Sequence, residues 1–141
     1  MTIELSDEAA RLDVARVHGW LAGSYWSPGI ERALVERAIA GSHCLGAYRG
    51  GEQVGFARAI TDHATFAWIA DVWVDEPARG QGLGDAIFAR IAENAARAGM
   101  TRLGLHVGQK NIPAQALYER AGFVATGGPP MLNGRGLWEI E

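Results

Sequence analysis

The clearest chemical pattern is an arginine followed by three alternating glycines, in the segment Arg79-Gly80-Gln81-Gly82-Leu83-Gly84. An apolar run precedes this segment, and a helical pattern begins within it. Glycine lets the main chain approach a ligand closely. The unpaired N–H groups and the dipole at a helix N-terminus favour an anion. With the charge of Arg79, these features predict a turn whose main chain binds a pyrophosphate.

The glycine spacing excludes two familiar nucleotide sites. A phosphate-binding loop for ATP ends in Gly-Lys-Ser or Gly-Lys-Thr, which this segment lacks. A dinucleotide fold needs Gly-x-Gly-x-x-Gly, but its third position is Asp85 counted from Gly80, and Ile87 counted from Gly82. The residues alone still allow a second interpretation, a glycine-rich loop and a capped helix without a ligand.

Two side chains could move a proton. His106 follows Leu105 in an alternating segment, so it should lie on the face opposite Leu105 and could titrate near neutral pH. Asp71 interrupts an apolar run, and a buried carboxylate needs a partner. Alternation predicts that Asp71 shares a face with Ile69 and Trp73. Either residue, or a water chain, could accept a proton, and Asp71 could instead make a structural hydrogen bond.

Metal chemistry is not predicted. The other histidines have no ligand spacing with acids or cysteines. Cys44 lies in a predicted strand, where we expect a buried structural thiol and not a nucleophile. The histidines concerned are His18, His43 and His63.

The elements that position these residues follow from hydrophobic periodicity. The predicted order is strand, two helices, three strands, helix, strand, helix and two strands, which gives an α+β domain with a mixed sheet and helices on its faces. Asp13 should cap the first helix, and Ser27 with Pro28 should open the second. Two strands flank a tight turn at Gly50-Gly51. The predicted segments are Ile3 to Ser6, Val14 to Ala22, Pro28 to Gly41, His43 to Tyr48, Gln53 to Ile60, Thr65 to Val74, Leu83 to Ala98, Arg102 to Val107, Asn111 to Arg120, Phe123 to Thr126 and Leu137 to Glu141.

The bulk composition suits one domain spanning residues 1–141. The formal net charge is −3 and the basic residues are scattered, which argues against a wide nucleic-acid-binding face. We expect no membrane segment and a cytoplasmic location, whose reducing conditions suit a single cysteine.

Two motifs together resemble the GNAT superfamily of N-acetyltransferases. The first is Arg79-x-x-Gly82-x-Gly84, after a buried strand and before an amphipathic helix. The second is Asn111-x-x-Ala114-x-x-Leu117-Tyr118-x-x-x-Gly122-Phe123. The resemblance covers roughly His43 to Phe123, and the first forty residues only by their order of elements.

The resemblance implies acetyl-CoA as the co-substrate. The pantetheine arm would pair with the main chain of Val72, Trp73 and Val74, beside a strand that splays away. Asn111 would contact the pantetheine. The pyrophosphate would lie over the main chain of the turn, so side-chain changes at Gln81 or Leu83 should matter little. The cofactor-binding turn comprises Arg79, Gly80, Gln81, Gly82, Leu83, Gly84 and Asp85.

The resemblance also implies the catalytic roles. Tyr118 matches the family tyrosine near the sulfur and would protonate the leaving thiolate. A main-chain N–H near Val72 would polarise the carbonyl. His106 stands where some relatives that acetylate protein N-termini carry an acidic residue, and it could act as the base. We expect direct transfer in a ternary complex.

The loop between the first two helices is expected to line the side of the site that binds the acceptor amine. In this loop, Tyr25 and Trp26 are candidate substrate-binding residues. Trp68 and Trp73 could add walls, which would suit a flat, apolar or quaternary-like amine. We expect no added domain that could dock a large protein, which favours a small-molecule amine. The alternatives are a protein N-terminus or lysine, or a CoA-binding sensor module without catalysis. Homodimers are common in the family.

Overall fold

The structure, a computed structural model, describes residues 2–100, 102–108, 111–125 and 135–140. Its element order confirms the predicted α+β arrangement. Short 3-10 turns precede α1 and α3, at Ala9–Arg11 and Glu76–Ala78. The elements are β1 (Ile3–Ser6), α1 (Val14–Ala22), α2 (Arg32–Ala40), β2 (His43–Arg49), β3 (Glu52–Thr61), β4 (Phe66–Val74), α3 (Leu83–Arg97), β5 (Arg102–Gly108), α4 (Ile112–Arg120), β6 (Val124–Ala125) and β7 (Arg135–Ile140).

The described strands form one sheet in the order β1-β2-β3-β4-β5-β7-β6. All neighbouring pairs are antiparallel except β4 and β5, which are parallel. Helices α3 and α4 pack on one face around Ile87 and Phe88. Helices α1 and α2 cover part of the other face around Val17, Val35 and Phe56. No helix among the described residues is long and apolar enough to span a membrane.

Capping and turn residues in the local sequence determine most of the helix and strand boundaries. The carboxylate of Asp13 accepts a hydrogen bond of 3.1 Å from the Arg16 amide, so it caps α1 as predicted. Gly50 and Gly51 have φ angles of +59° and +82° between β2 and β3. These are the positive angles that a tight hairpin turn requires.

The predicted start of α2 is wrong. The helix begins at Arg32 and not at Pro28, because hydrogen bonds tie the preceding segment to the end of α1. The Ser27 amide donates to Ser24 Oγ at 3.1 Å, and the Gly29 amide donates to the Ala22 carbonyl at 2.8 Å. The same segment carries the two aromatic residues predicted to line the acceptor side.

A β-bulge interrupts β4. The register between β3 and β4 shifts between Phe56 and Arg58, and Asp71 has a φ angle of +55°. Aspartate is among the few residues that tolerate this conformation. The bulge reverses the alternation, so Ile69 lies in the α3-side core while Trp73 contacts aromatic residues on the α1 side. The prediction that Asp71 shares a face with Ile69 is therefore wrong.

Strands β4 and β5 separate after a short paired stretch. In the described residues, their pairing runs from Phe66 with Arg102 to Ile69 with Leu105. Both strands continue beyond that point, β4 to Val74 and β5 to Gly108. The splayed parallel pair predicted from the sequence is confirmed, and a cleft opens between the two strands.

Candidate functional site

The cleft has a volume of about 720 Å³. Its walls come from the second half of β4, the start of α3, helix α4 and the loop between α1 and α2. The fold thus brings most of the predicted site residues to one cavity. Those that line it are Tyr25, Trp26, Asp71, Val72, Trp73, Val74, Arg79, Gly84, Asn111 and Tyr118.

The turn before α3 borders the cleft through Arg79 and Gly84. Gly80 and Gly82 have φ angles of +75° and +78°, and a Cβ added at either would meet nothing within 4 Å. Gly82 is the N-cap of α3. Helix geometry leaves the N–H groups of the first turn without intrahelical acceptors. This matches the expectation for an anion held by backbone amides.

Side chains of the turn point elsewhere. Leu83 is buried in the core. The Gln81 amide donates to the Pro77 carbonyl at 3.3 Å. Asp85 accepts from Arg120 of α4 at 3.1 Å. These side chains thus make contacts within the protein, and the main-chain contacts of these residues with a cofactor stay a prediction.

Arg79 joins the turn to the end of β4. Its Nε donates to the Val74 carbonyl at 2.8 Å, and its guanidinium carbon lies 5.2 Å from the centre of the Trp73 ring. Both contacts fix the position of one positive charge at the border between β4 and α3. A charge at this place would add to the attraction of the turn's backbone amides for an anion.

Tyr118 lies in an aromatic cluster on α4. Its ring centre is 5.0 Å from that of Phe88 and 6.2 Å from that of Phe123. Burial raises the pKa of the Tyr118 phenol to about 12, with a smaller contribution from Tyr25. The phenol is therefore protonated at neutral pH, and the residue lines the cleft.

Helices α3 and α4 approach closely beside the turn. A Cβ on Gly84 would lie 3.1 Å from Leu117 Cδ2, so glycine permits this approach. The Asp85–Arg120 ion pair connects the same two helices at the surface. The turn and the tyrosine are thus parts of one packed unit.

Asn111 links two loops at the cleft. Its side-chain oxygen caps α4 by accepting from the Ala114 amide at 3.3 Å. Its Nδ2 lies 3.4 Å from the hydroxyl of Tyr25, to which it donates. The predicted cofactor contact Asn111 and the predicted acceptor residue Tyr25 are therefore neighbours.

Asp71 has partners at both carboxylate oxygens. Oδ2 accepts from Arg58 Nε at 2.6 Å, and Oδ1 accepts from Trp26 Nε1 at 2.9 Å. Arg58 also donates to Ser42 Oγ at 3.0 Å. The Asp71 and Arg58 side chains are only 10% and 17% exposed. The sequence predicted that Asp71 needs a partner, but no local signal identified Arg58.

His106 belongs to β5, where it pairs with Leu137 of β7. Its side chain lies outside the described part of the structure, so its predicted role as a base stays a prediction. Among the described residues, no group of three or more histidine, cysteine, aspartate or glutamate side chains could hold a metal ion.

Comparisons with known proteins agree with this geometry. The sequence model of the acetyltransferase (GNAT) family matches residues 10–123. A crystal structure assigned to the GNAT family, from Xanthomonas campestris pv. campestris, is 32% identical, with a TM-score of 0.83 over 95% of this chain and 96% of that one. The chain therefore belongs to the GNAT acetyltransferase family, and the enzyme class predicted from the two motifs, an acyltransferase, is confirmed.

Two further relatives are described with a named substrate or a bound ligand. Blasticidin-S acetyltransferase of Streptomyces morookaense is 36% identical over 78 residues, which span 54% of this chain and 57% of that enzyme. A GNAT-family acetyltransferase from Elizabethkingia anophelis has acetyl-CoA bound. It is 17% identical with a TM-score of 0.74, covering 99% of this chain and 97% of that one, and so shares the fold.

Proposed function

We propose that this protein transfers an acetyl group from acetyl-CoA to the primary amine of a small molecule, by direct attack in a ternary complex. The observation that carries the proposal is the cleft itself. It opens where β4 and β5 separate, with an anion-binding turn at the start of α3 and the protonated Tyr118 in its wall. An elongated substrate with a phosphate end and a reactive sulfur fits these two features.

The residues present fit such a co-substrate. The main chain of the turn would hold the pyrophosphate, and the edge of β4 from Val72 to Val74 that faces away from β3 would pair with the pantetheine arm. Acetyl-CoA supplies the thioester. The Val72 N–H would polarise its carbonyl, because a backbone donor fixed in place costs no reorganisation during the reaction.

Transfer forms a nitrogen–carbon bond and breaks the carbon–sulfur bond. The Tyr118 phenol gives its proton to the departing thiolate. Burial disfavours the charged form of both groups, so a thiolate beside Tyr118 would also be more basic than in water. We assign the proton released by the amine to His106 or to solvent, because donors already occupy both oxygens of Asp71.

The small-molecule acceptor has two lines of support. One relative is named for its action on blasticidin S, a small molecule. The acceptor side of the cleft is also lined by aromatic and apolar side chains, which include Tyr25, Trp26, Ile60 and Trp68. Extended peptides require rows of backbone partners along a groove, whereas a pocket of this kind suits a compact ligand.

Calorimetric titration tests the proposal. We expect saturable binding of acetyl-CoA and none of NAD or ATP, followed by release of CoA when a panel of primary amines is added. Binding of NAD or ATP instead would refute the cofactor assignment. Binding of acetyl-CoA without turnover of any amine, peptides included, would identify a CoA-binding module without catalysis.

We expect no acetyl-enzyme intermediate on Cys44. The thiol is 5% exposed, and burial raises its pKa to about 11, so it carries almost no thiolate at neutral pH. Cys44→Ala should retain kcat within about twofold, because the thiol takes no part in transfer. Mass spectrometry of the intact protein after incubation with acetyl-CoA should show no adduct. An adduct together with parallel double-reciprocal plots would contradict direct transfer.

A further inference from the structure

The acceptor side of the cleft has a tryptophan lying flat on the sheet. Trp68 pairs with Gly104 of β5, and a Cβ on Gly104 would come within 3.0 Å of the Trp68 ring. The missing side chain therefore lets the indole lie across β5. The same indole lines the cleft, next to Ile60 of β3, with which Trp68 also pairs.

A second indole is held in place from the sheet. Trp26 comes from the loop between α1 and α2, and its Nε1 donates to Asp71 at 2.9 Å. The ring of Tyr25 meets it edge-on, with the ring centres 5.0 Å apart. Asp71 is itself fixed by Arg58 and by its place in the β4 bulge. One side of the cleft is therefore built from aromatic rings whose positions are set by polar contacts behind them.

The charges on this side cancel. Of the described residues that line the cleft, only Arg58, Asp71 and Arg79 are charged. Arg58 and Asp71 pair with each other, and Arg79 is bound to the end of β4. The acceptor side thus offers no unpaired carboxylate to a second ammonium group, and Arg79, the lining cation that pairs with a carbonyl and not with a carboxylate, lies at the turn before α3. The described walls instead offer flat aromatic surface to a ligand.

We propose that the acceptor site selects amines borne on a planar, uncharged group that contacts Trp26 and Trp68, with Asp71 as the positioning residue for Trp26. The inference rests on the proposed function and specifies its acceptor. A planar group gains stacking contacts that a puckered ring of the same size cannot make. Each such aromatic contact corresponds to about threefold to tenfold in affinity.

The test compares 2-phenylethylamine with 2-cyclohexylethylamine, which differ in ring shape but not in carbon count. We expect kcat/KM, calculated per neutral amine, to favour the phenyl compound about fivefold or more. Trp26→Leu and Trp68→Leu should each bring this ratio close to one. Leu34→Ala, at an exposed position of α2 outside the cleft, is the matched control and should leave the ratio unchanged.

Asp71→Asn separates positioning from catalysis. The amide keeps the shape of the side chain but loses the charge that binds Arg58. We expect KM for 2-phenylethylamine to rise about tenfold, the phenyl preference to shrink, and kcat with its pH profile to change little. A collapse of kcat with loss of the acidic limb of the profile would make Asp71 the base and overturn the positioning role. An equal loss for both amines would reduce Asp71 to a folding role and overturn it as well.

An acetyl-CoA titration of the same samples keeps the two hypotheses distinguishable. If acetyl-CoA does not bind, the proposed function fails and the acceptor inference fails with it. If acetyl-CoA binds but neither ring amine is acetylated, or the cyclohexyl amine is equally good, only the inference is wrong. A preference for (2-aminoethyl)trimethylammonium over 2-phenylethylamine would also overturn it, since that result would assign the aromatic rings to a cation.

Discussion

Replacing Gly82 by valine is expected to abolish saturable binding of acetyl-CoA, a loss of about a hundredfold or more in affinity. Gly82 has a φ angle of +78° and caps α3, and its Cβ position faces open space. A branched side chain there would occupy the volume over the helix N-terminus that the pyrophosphate needs. Calorimetry on the purified variant measures the effect.

Gly99 provides a matched control at the other end of α3. It has a φ angle of +75°, and a Cβ added there also meets nothing within 4 Å. Valine at either position costs about 1–2 kcal/mol of backbone strain. Gly99→Val should therefore lower the melting temperature as Gly82→Val does, yet bind acetyl-CoA normally. Normal acetyl-CoA binding by Gly82→Val would show that the turn is not part of the cofactor site. An equal loss of binding in both variants would show that the effect comes from impaired folding.

Tyr118→Phe should lower kcat about 10²–10³-fold while the Kd of acetyl-CoA changes less than about twofold. The phenylalanine ring keeps the contacts with Phe88 and Phe123, so the aromatic cluster is preserved while the proposed proton donor is removed. Steady-state kinetics combined with calorimetry separates the two quantities. Tyr48→Phe is the control, because Tyr48 is buried in β2 and does not line the cleft. Its kcat should be that of the unmodified enzyme.

The pH dependence gives Tyr118 a second test. Burial raises its pKa from an ordinary value of 10.0 to about 12, so the phenol stays protonated throughout the range from pH 6 to 10. A donor in its acid form over that range produces no alkaline limb in the kcat profile near pH 10. A limb near pH 10 that disappears in Tyr118→Phe would show that the tyrosine titrates unperturbed and is not the buried donor described here.

Sequence patterns sufficed for those parts of the fold that depend on neighbouring residues. Asp13 caps α1 because its carboxylate reaches an amide three residues on. Gly82 starts α3 because the turn before it needs a positive φ angle. The two motifs, 29 positions apart between Gly82 and Asn111, met at one cleft because a parallel strand pair with a connecting helix leaves few other arrangements.

Features that depend on distant residues could not be predicted. The bulge at Asp71 is fixed by Arg58 of β3 and by Trp26, residues that lie 13 and 45 positions away. Period-two alternation assumes an uninterrupted strand, so it placed Asp71 on the wrong side relative to Ile69. The start of α2 was misplaced for a similar reason, since contacts with α1 outweighed the preference of Pro28 for a helix start. The roles of Tyr118 and His106 stay predictions until the variants are measured.

The close packing of α3 against α4 has a consequence for ligand selection. Gly84 against Leu117, Asp85 with Arg120 and Phe88 against Tyr118 hold the two helices together near the turn. The distance between the anion-binding amides and the phenol is therefore set when the chain folds. A thioester whose spacer between phosphate and sulfur is too short or too long could occupy one end of the cleft, but it would not bring its sulfur to the phenol. If the turn and Tyr118 act as proposed, we therefore expect the enzyme to discriminate among thioesters by length as well as by their chemical groups.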